Sequence, residues 1–225
     1  MRIPLIALLG ICLLLPFALS QTQSALESDA KGWMDLFADR TMKDWIRGPL
    51  WAAGKLRAGS LDEPSPWKMD PATGILLCEG DKVGHEWMRY AKELGDCLYH
   101  VEWRFTKMDG EPAYNAGVFV RTSSDGNVWH QAQATMAGGF LFGAFPVNGV
   151  SQRFNLRQSM SENRIKPAGE WNIYEIRAVG KVITLWINGA VTSEFKDCET
   201  LRGYIGLEAE GYRVEYRNVQ MKSLP

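Results

Sequence analysis

The feature that most constrains the fold is a stretch from Gly169 to Gly189, where apolar and polar residues alternate in two runs. Alternation with a period of two over this length is typical of β-strands, and Gly180 between the runs supplies a turn. Because both faces of the two runs carry apolar side chains, we predict two strands in the interior of a sheet. Asn188-Gly189 favours a second tight turn, which leads into a third strand over 190–195.

Composition favours one large β domain. The chain has 225 residues, of which 46% are hydrophobic, so it can bury a full core. Strand-like segments recur about every ten residues, which favours an all-β sandwich over two small domains. A net charge of −1 gives no indication of nucleic acid or an acidic membrane as partner. Nine Trp, seven Tyr and nine Phe suit a core and also the flat faces of sugar rings.

The first twenty residues are predicted to be a signal peptide. Arg2 supplies a positive charge, an apolar run of about fifteen residues follows, and small residues end the run at Ser20. The run is short for a membrane span, and no later segment has the length of a transmembrane helix. We therefore expect cleavage near Ser20, a polar leader over 21–31 and one domain over 32–225, in a secreted or periplasmic protein without a membrane span.

Three cysteines remain after such cleavage, namely Cys78, Cys97 and Cys198. Three thiols permit one disulfide, and their spacing matches no zinc-binding pattern. Because Cys78 and Cys97 lie in apolar, strand-like runs, the sequence favours buried thiols over a single bridge.

The segment 115–121 is predicted to be a strand with one apolar and one mixed face. Asn115, Phe119 and Arg121 fall on the mixed face, opposite small apolar residues. The alternation therefore predicts a core side and a side able to receive a polar ligand.

A strand over 128–134 repeats this arrangement. Trp129, Gln131 and Gln133 share one face, and His130 lies in the apolar register. If this strand pairs with the previous one, the polar side chains of both line one shallow surface.

Two later segments add polar groups. A strand over 203–210 carries Glu208 and Glu210 on its polar face. The segment 143–168 has little periodicity but contains several cations, among them Arg153 and Lys166. A connection of this length inside a compact domain is typical of a functional lid or rim.

The order of short motifs along the chain gives a further indication. The motifs are Leu36-Phe37 with Thr41 and Trp45, Trp67, Gly74-Ile75-Leu76, Gly95-Asp96, Glu102-Trp103-Arg104, Asn115-Ala116-Gly117-Val118-Phe119-Val120-Arg121, Lys166-Pro167, Gly169-Glu170-Trp171-Asn172, Trp186-Ile187-Asn188-Gly189, Gly203-Tyr204-Ile205-Gly206-Leu207 and Arg217-Asn218-Val219. No single motif is specific, but in this order the set resembles the secreted bacterial 3-keto-disaccharide hydrolase family, from Gly32 to the C-terminus. The resemblance implies a concanavalin-like jelly roll of two antiparallel sheets.

The resemblance also implies cleavage of glycosides that are oxidised at the sugar C3. A carbonyl at C3 acidifies the C2 hydrogen, so a base can remove it and a cation or hydrogen-bond donor can stabilise the enolate. The group on C1 then leaves by elimination, and water adds back, without the oxocarbenium route of ordinary glycosidases. The expected partner is an oligosaccharide or oxidised disaccharide. No cofactor is certain from the resemblance, and a divalent metal is compatible with this chemistry.

The candidate catalytic residues each have a plainer alternative. Arg121 would hold the enolate or a hydroxyl, and the alternative is a salt-bridged arginine. Glu208 and Glu210 would supply a base or metal ligands, and the alternative is a solvated strand face. For His130 the alternative is a structural histidine, and for His85 it is a plain surface loop.

The candidate substrate-binding residues are Asn115, Phe119, Trp129, Gln131, Gln133 and Lys166. The sequence departs from the family at two positions. The family commonly has a Glu-x-Gln pair where this chain has Gln131-Ala132-Gln133, and a histidine near the position of Glu210. Either Glu210 replaces a base or ligand from another strand, or the protein is a non-catalytic glycan-binding module.

Overall fold

The computed structural model describes residues 22–50, 59–111 and 113–225, so the predicted signal peptide lies outside the described residues. These residues form fifteen strands, one short α-helix and two short 3-10 helices, Gly80–Lys82 and Arg157–Ser159. In chain order the helix and strands are α1 (Ala25–Ser28), β1 (Met34–Asp35), β2 (Trp45–Pro49), β3 (Trp67–Met69), β4 (Leu76–Glu79), β5 (Glu86–Tyr90), β6 (Cys97–Phe105), β7 (Asn115–Thr122), β8 (Trp129–Thr135), β9 (Leu141–Val147), β10 (Val150–Asn155), β11 (Asn172–Val179), β12 (Val182–Ile187), β13 (Ala190–Phe195), β14 (Tyr204–Ala209) and β15 (Arg213–Ser223).

The strands form two antiparallel sheets, which confirms the predicted all-β jelly-roll sandwich. The eight-stranded sheet has the order β13-β12-β11-β6-β15-β4-β3, with β1 paired to β15. The seven-stranded sheet has the order β10-β9-β8-β7-β14-β5-β2. In the seven-stranded sheet β7 lies between β8 and β14, so the three strands with mixed faces are neighbours.

The main core lies between the two sheets. It takes Val101, Trp103 and Tyr174 from the eight-stranded sheet and residues such as Val118 and Leu207 from the seven-stranded one, all at most 1% exposed. A separate aromatic cluster covers the other face of the seven-stranded sheet. Its members are Leu50, Trp87, Phe119, Trp129 and Ala144, with Phe142 and Tyr204 packed against them. The seven-stranded sheet is therefore apolar on both faces, and the outer cluster provides a hydrophobic base for a site.

The hairpin predicted over 169–189 is present as β11 and β12, and both strands lie in the interior of the eight-stranded sheet. Asn188 and Gly189 have φ values of 44° and 105°, which confirms the left-handed turn leading into β13. The Asn188 side chain also accepts a hydrogen bond from the backbone of Ile173. The turn is thus fixed by side-chain bonding as well as by backbone geometry.

The predicted polar leader contains the short helix α1. Ser24 and Glu27 cap its N-terminus reciprocally, as in a capping box. The backbone N–H groups of Ala25 and Leu26 donate to the carboxylate of Glu175, which also bonds His100 at 2.9 Å. The leader is thereby attached to the outer face of the eight-stranded sheet.

The segment 143–168 differs from the prediction of an irregular lid, because β9 and β10 form a hairpin at the edge of the seven-stranded sheet. Its β10 arm is exposed along most of its length, so the alternation of core and surface residues is lost.

The three cysteines are free and buried, as favoured by the sequence. Within the described ranges, no helix has the length and apolarity needed to cross a membrane.

Candidate functional site

Side chains from five strands, together with His85 before β5 and Glu210 after β14, line a cavity of about 230 Å³ on the outer face of the seven-stranded sheet. The lining residues are His85, Asn115, Trp129, Gln131, Gln133, Phe142, Arg153, Glu208 and Glu210. Strand pairing explains why they meet, since β8, β7, β14 and β5 are consecutive neighbours in the sheet. The structure therefore brings together most of the polar residues that the sequence indicated.

Glu208 is the central group of this cavity. Its side chain is almost fully buried, with one oxygen 2.7 Å from His85 Nε2 and the other 2.7 Å from Gln131 Nε2. A buried carboxylate is stable as an anion only when donors compensate for the lost water. Gln131 supplies one such donor, and His85 is in position to supply a second.

Glu210 lies just beyond the end of β14, and its pKa is raised. Burial, followed by the negative charge of Glu208, raises the pKa of Glu210 to about 8, while nearby His85 acts in the opposite direction. Glu210 therefore carries a proton at neutral pH. A buried carboxyl group that keeps its proton at neutral pH beside a second carboxyl group is typical of a general acid in catalysis.

The remaining lining residues form a polar and an aromatic part. The Gln133 amide donates to Asn115 Oδ1, which leaves the Asn115 amide N–H groups for a ligand. Trp129 and Phe142 meet edge to face, with ring centroids 4.8 Å apart. Aromatic faces next to amide groups are a combination suited to sugar rings and their hydroxyls.

Gly117 is required for the contact between Gln131 and Glu208. A Cβ at this position would overlap the Gln131 amide and lie 2.6 Å from Glu208 Oε2. The two side chains approach each other directly over this glycine, so any larger residue would separate them.

We expect Gly117→Ala to destabilise the fold by about 1–3 kcal/mol through overpacking and to reduce the activity proposed below by at least about tenfold. Thermal unfolding and turnover measure the two effects. Gly95→Ala is the matched control, because its Cβ would meet only the flexible end of Arg202, at 3.1 Å. Unchanged turnover in Gly117→Ala would show that the Gln131–Glu208 contact is dispensable.

His85, Glu208 and Glu210 could also hold a metal ion. Each offers one ligand atom, and these atoms all lie within 4.8 Å of one another. One imidazole and two carboxylates form a donor set compatible with Zn²⁺ or Mn²⁺, with further positions left for water or substrate. Binding would require loss of the Glu210 proton, so metal and proton compete for this group.

The predicted position of Arg121 on the Asn115 face is wrong. Arg121 has a φ of 48°, and two residues of β7 face one residue of β14 at this point, which is a β-bulge. The bulge turns the guanidinium away from the cavity. It binds Asp96 at 2.8 Å and the Gly180 carbonyl, so Arg121 forms the salt bridge that was the alternative interpretation.

Other candidates also lie outside the cavity. His130 is buried on the core side, 3.5 Å from the Cys198 thiol, and burial lowers its pKa to about 4. Phe119 is fully buried against Trp87 and supports the cavity without lining it. Lys166 is exposed, and its backbone N–H donates to Asn172. The structure therefore supports structural roles for His130 and Phe119 and places Lys166 on the exposed surface, outside the cavity.

We expect Arg121→Met to reduce the free energy of unfolding by about 1–3 kcal/mol, because the Gly180 carbonyl loses its guanidinium donor and Asp96 keeps only the backbone N–H of Gly180. Turnover per folded molecule should stay close to that of the unsubstituted protein. Chemical denaturation and an active-fraction assay measure the two quantities. Loss of turnover without loss of stability would indicate that Arg121 has a catalytic role.

His85 and Arg153 are site residues that the sequence indicated only weakly. His85 precedes β5, whose register places Glu86 opposite Ala209 and so brings His85 to Glu210. Arg153 reaches the cavity because β10 folds back on β9. Both placements depend on long-range strand register, for which a single sequence contains no local signal.

A family profile described as the 3-keto-alpha-glucoside-1,2-lyase-like domain matches residues 32–222. The chain belongs to this family. The match spans nearly all described residues and includes every lining residue of the cavity. No curated protein sequence matches this chain.

Solved structures share the fold of the lyase-like domain at low sequence identity. A candidate glycosyl hydrolase from Parabacteroides distasonis is 14% identical, with a TM-score of 0.60 over 91% of this chain and 99% of that one. The carbohydrate-binding module CBM66 from Bacillus subtilis is 13% identical, with a TM-score of 0.54 over 81% and 98%. The β-glucanase of Bacillus licheniformis is 14% identical, with a TM-score of 0.54 over 88% and 100%. At these identities the likeness concerns the fold.

Proposed function

We propose that this protein is an exported enzyme that cleaves 3-keto-glycosides by proton abstraction at C2 and elimination at C1. The observation that carries the proposal is the placement of Glu208, bonded by His85 and Gln131, in one cavity with Glu210, whose pKa is raised. Membership of the 3-keto-alpha-glucoside-1,2-lyase-like family supports the substrate class.

In the first half of the reaction Glu208 acts as the base. Its carboxylate takes the C2 proton, and the electrons of the broken C–H bond form the C2–C3 enolate. The amide of Asn115, which lines the cavity and whose oxygen alone is engaged by Gln133, is the donor that can stabilise the enolate oxygen. The enolate then expels the C1 substituent, whose oxygen takes the proton of Glu210.

In the second half the roles reverse. Glu210, now an anion, removes a proton from water, which adds to C1 of the unsaturated ketone. Glu208, which exchanges its proton with water that enters once the leaving group departs, then protonates C2, and both carboxylates regain their starting states. The net reaction is hydrolysis, and the two carboxyl groups are sufficient for every proton transfer.

A metal ion at His85, Glu208 and Glu210 would polarise the 3-keto oxygen as a Lewis acid. In that case Asn115 and Gln133 would still orient the sugar hydroxyls, and the aromatic pair Trp129–Phe142 would still contact the ring. A chelator distinguishes the metal-dependent mechanism from the metal-free one, because it abolishes turnover only in the metal-dependent case.

The test is incubation of the purified protein with 3-ketosucrose and with sucrose, each with and without chelator. We expect free sugar from 3-ketosucrose only, because sucrose has no acidified C2 hydrogen. Saturable sugar binding without turnover, under every divalent metal supplied, would contradict the enzyme and support a glycan-binding module.

A further inference from the structure

Arg153 lies at the end of the cavity opposite the two carboxylates. It is carried by β10, the outer strand of the seven-stranded sheet, whereas Glu208 lies on β14, four strand spacings away. Since paired strands are about 4.8 Å apart, roughly 19 Å separates the two backbones. The Arg153 and Glu208 side chains therefore line the same cavity from strands at its two sides.

The Arg153 guanidinium makes no hydrogen bond or ion pair with the described part of the chain. By contrast, Arg47, Arg104 and Arg121 each bind a carboxylate. A guanidinium without a protein partner at the edge of a polar cavity is available for a ligand, and its planar fork matches carboxylate or phosphate oxygens.

Strand register brings Arg153 next to the aromatic part of the cavity. Ala144 is the pairing partner of both Arg153 and Trp129 on its two neighbouring strands. Because the alanine between them is small, a ring that contacts Trp129 can present a substituent to Arg153. The charges fix the orientation of the ligand in the cavity, since Glu208 repels an anionic group at the end opposite Arg153.

We propose that the cavity selects glycosides whose leaving group carries an anionic substituent, a carboxylate or a phosphate, which Arg153 binds. This inference rests on the proposed function for the identity of the bond that breaks. The preference for an anion rests on Arg153 and the charge distribution alone. Binding energy at this remote end orients the oxidised ring against Glu208.

The test measures binding of unoxidised disaccharides by calorimetry, because they lack an acidified C2 hydrogen and are not cleaved. The three probes are glucose linked to glucose, to glucuronate and to glucose 6-phosphate. We expect at least one anionic probe to bind about tenfold tighter than the neutral one, and the tighter of the two identifies the anion.

Three variants complete the test. Arg153→Gln should abolish the preference, and Arg153→Lys should retain part of it. Arg157→Gln, at an exposed arginine that follows β10 and does not line the cavity, should leave it unchanged. Equal binding of all probes, or a preference that survives Arg153→Gln, would overturn the proposal. Anion preference without turnover of 3-ketosucrose would overturn only the enzymatic function.

Discussion

Replacing Glu208 by glutamine should reduce turnover of a 3-keto-glycoside by about 1,000-fold, because the substituted protein has lost the base for C2. The fold should tolerate the change. A glutamine side chain has the same shape, its carbonyl oxygen can accept from Gln131, and its amide can donate to the other tautomer of His85. Steady-state kinetics and thermal unfolding, measured on the same preparation, separate the two effects.

Glu170→Gln is the matched control, since Glu170 is an exposed glutamate outside the cavity. It should leave both turnover and stability unchanged. Turnover of Glu208→Gln within about tenfold of the unsubstituted protein would exclude Glu208 as the base and remove the mechanism proposed here.

Replacing Glu210 by glutamine should have the second-largest effect, a loss of roughly 100-fold, because the leaving group no longer receives a proton. In the unsubstituted protein, kcat/KM should fall as pH rises through about 8, where Glu210 loses its proton. The variant should lack this decline. A pH profile of kcat/KM from pH 5 to 10 checks both statements, and a variant that keeps the alkaline decline would assign it to another group.

The same titration affects stability with a defined sign. The pKa of Glu210 rises from 4.5, the ordinary value for an unfolded chain, to about 8 in the folded protein. Between these values the folded state binds more protons than the unfolded state, so the free energy of unfolding falls as pH rises through this window. Glu210→Gln removes the dependence, and its stability relative to the unsubstituted protein should increase from pH 4.5 to 8. Urea denaturation at several pH values measures this difference.

Much of the architecture follows from local pattern. The hairpin predicted over 169–189 is present as β11 and β12, and the strand predicted over 190–195 is β13 with the same bounds. These segments are one-sided or uniformly buried, so their periodicity is clear. The polar faces of β8 and β14 were predicted for the same reason, and Gln131, Gln133 and Glu208 do line one cavity.

The parts that could not be predicted depend on geometry between distant segments. Arg121 leaves the predicted face because a bulge interrupts the alternation, and bulges have no reliable sequence signal when the left-handed residue is not glycine. His85 joins the cavity only through the pairing of β5 with β14. The exposed hairpin arm β10 has too few core residues for a strand pattern, so the role of Arg153 as a lining residue was hidden.

The two departures from the family pattern, Gln131 and Glu210, are both adjacent to Glu208. At position 131 an amide donor replaces a carboxylate, and at position 210 a carboxylate is gained. Beside Glu208, the amide of Gln131 therefore takes the position of a carboxylate, and the carboxyl group of Glu210 is added. This arrangement keeps two carboxylates in the cavity and leaves the proposed proton transfers intact.

The most direct test of the central claim is proton exchange at C2 of a 3-keto-glycoside in D2O, followed by NMR. We expect the unsubstituted protein to release 3-keto sugar that carries deuterium at C2, and Glu208→Gln to catalyse neither exchange nor release. Release of sugar that retains its original C2 hydrogen would contradict the mechanism, because the bond at C1 would then break without proton removal by Glu208.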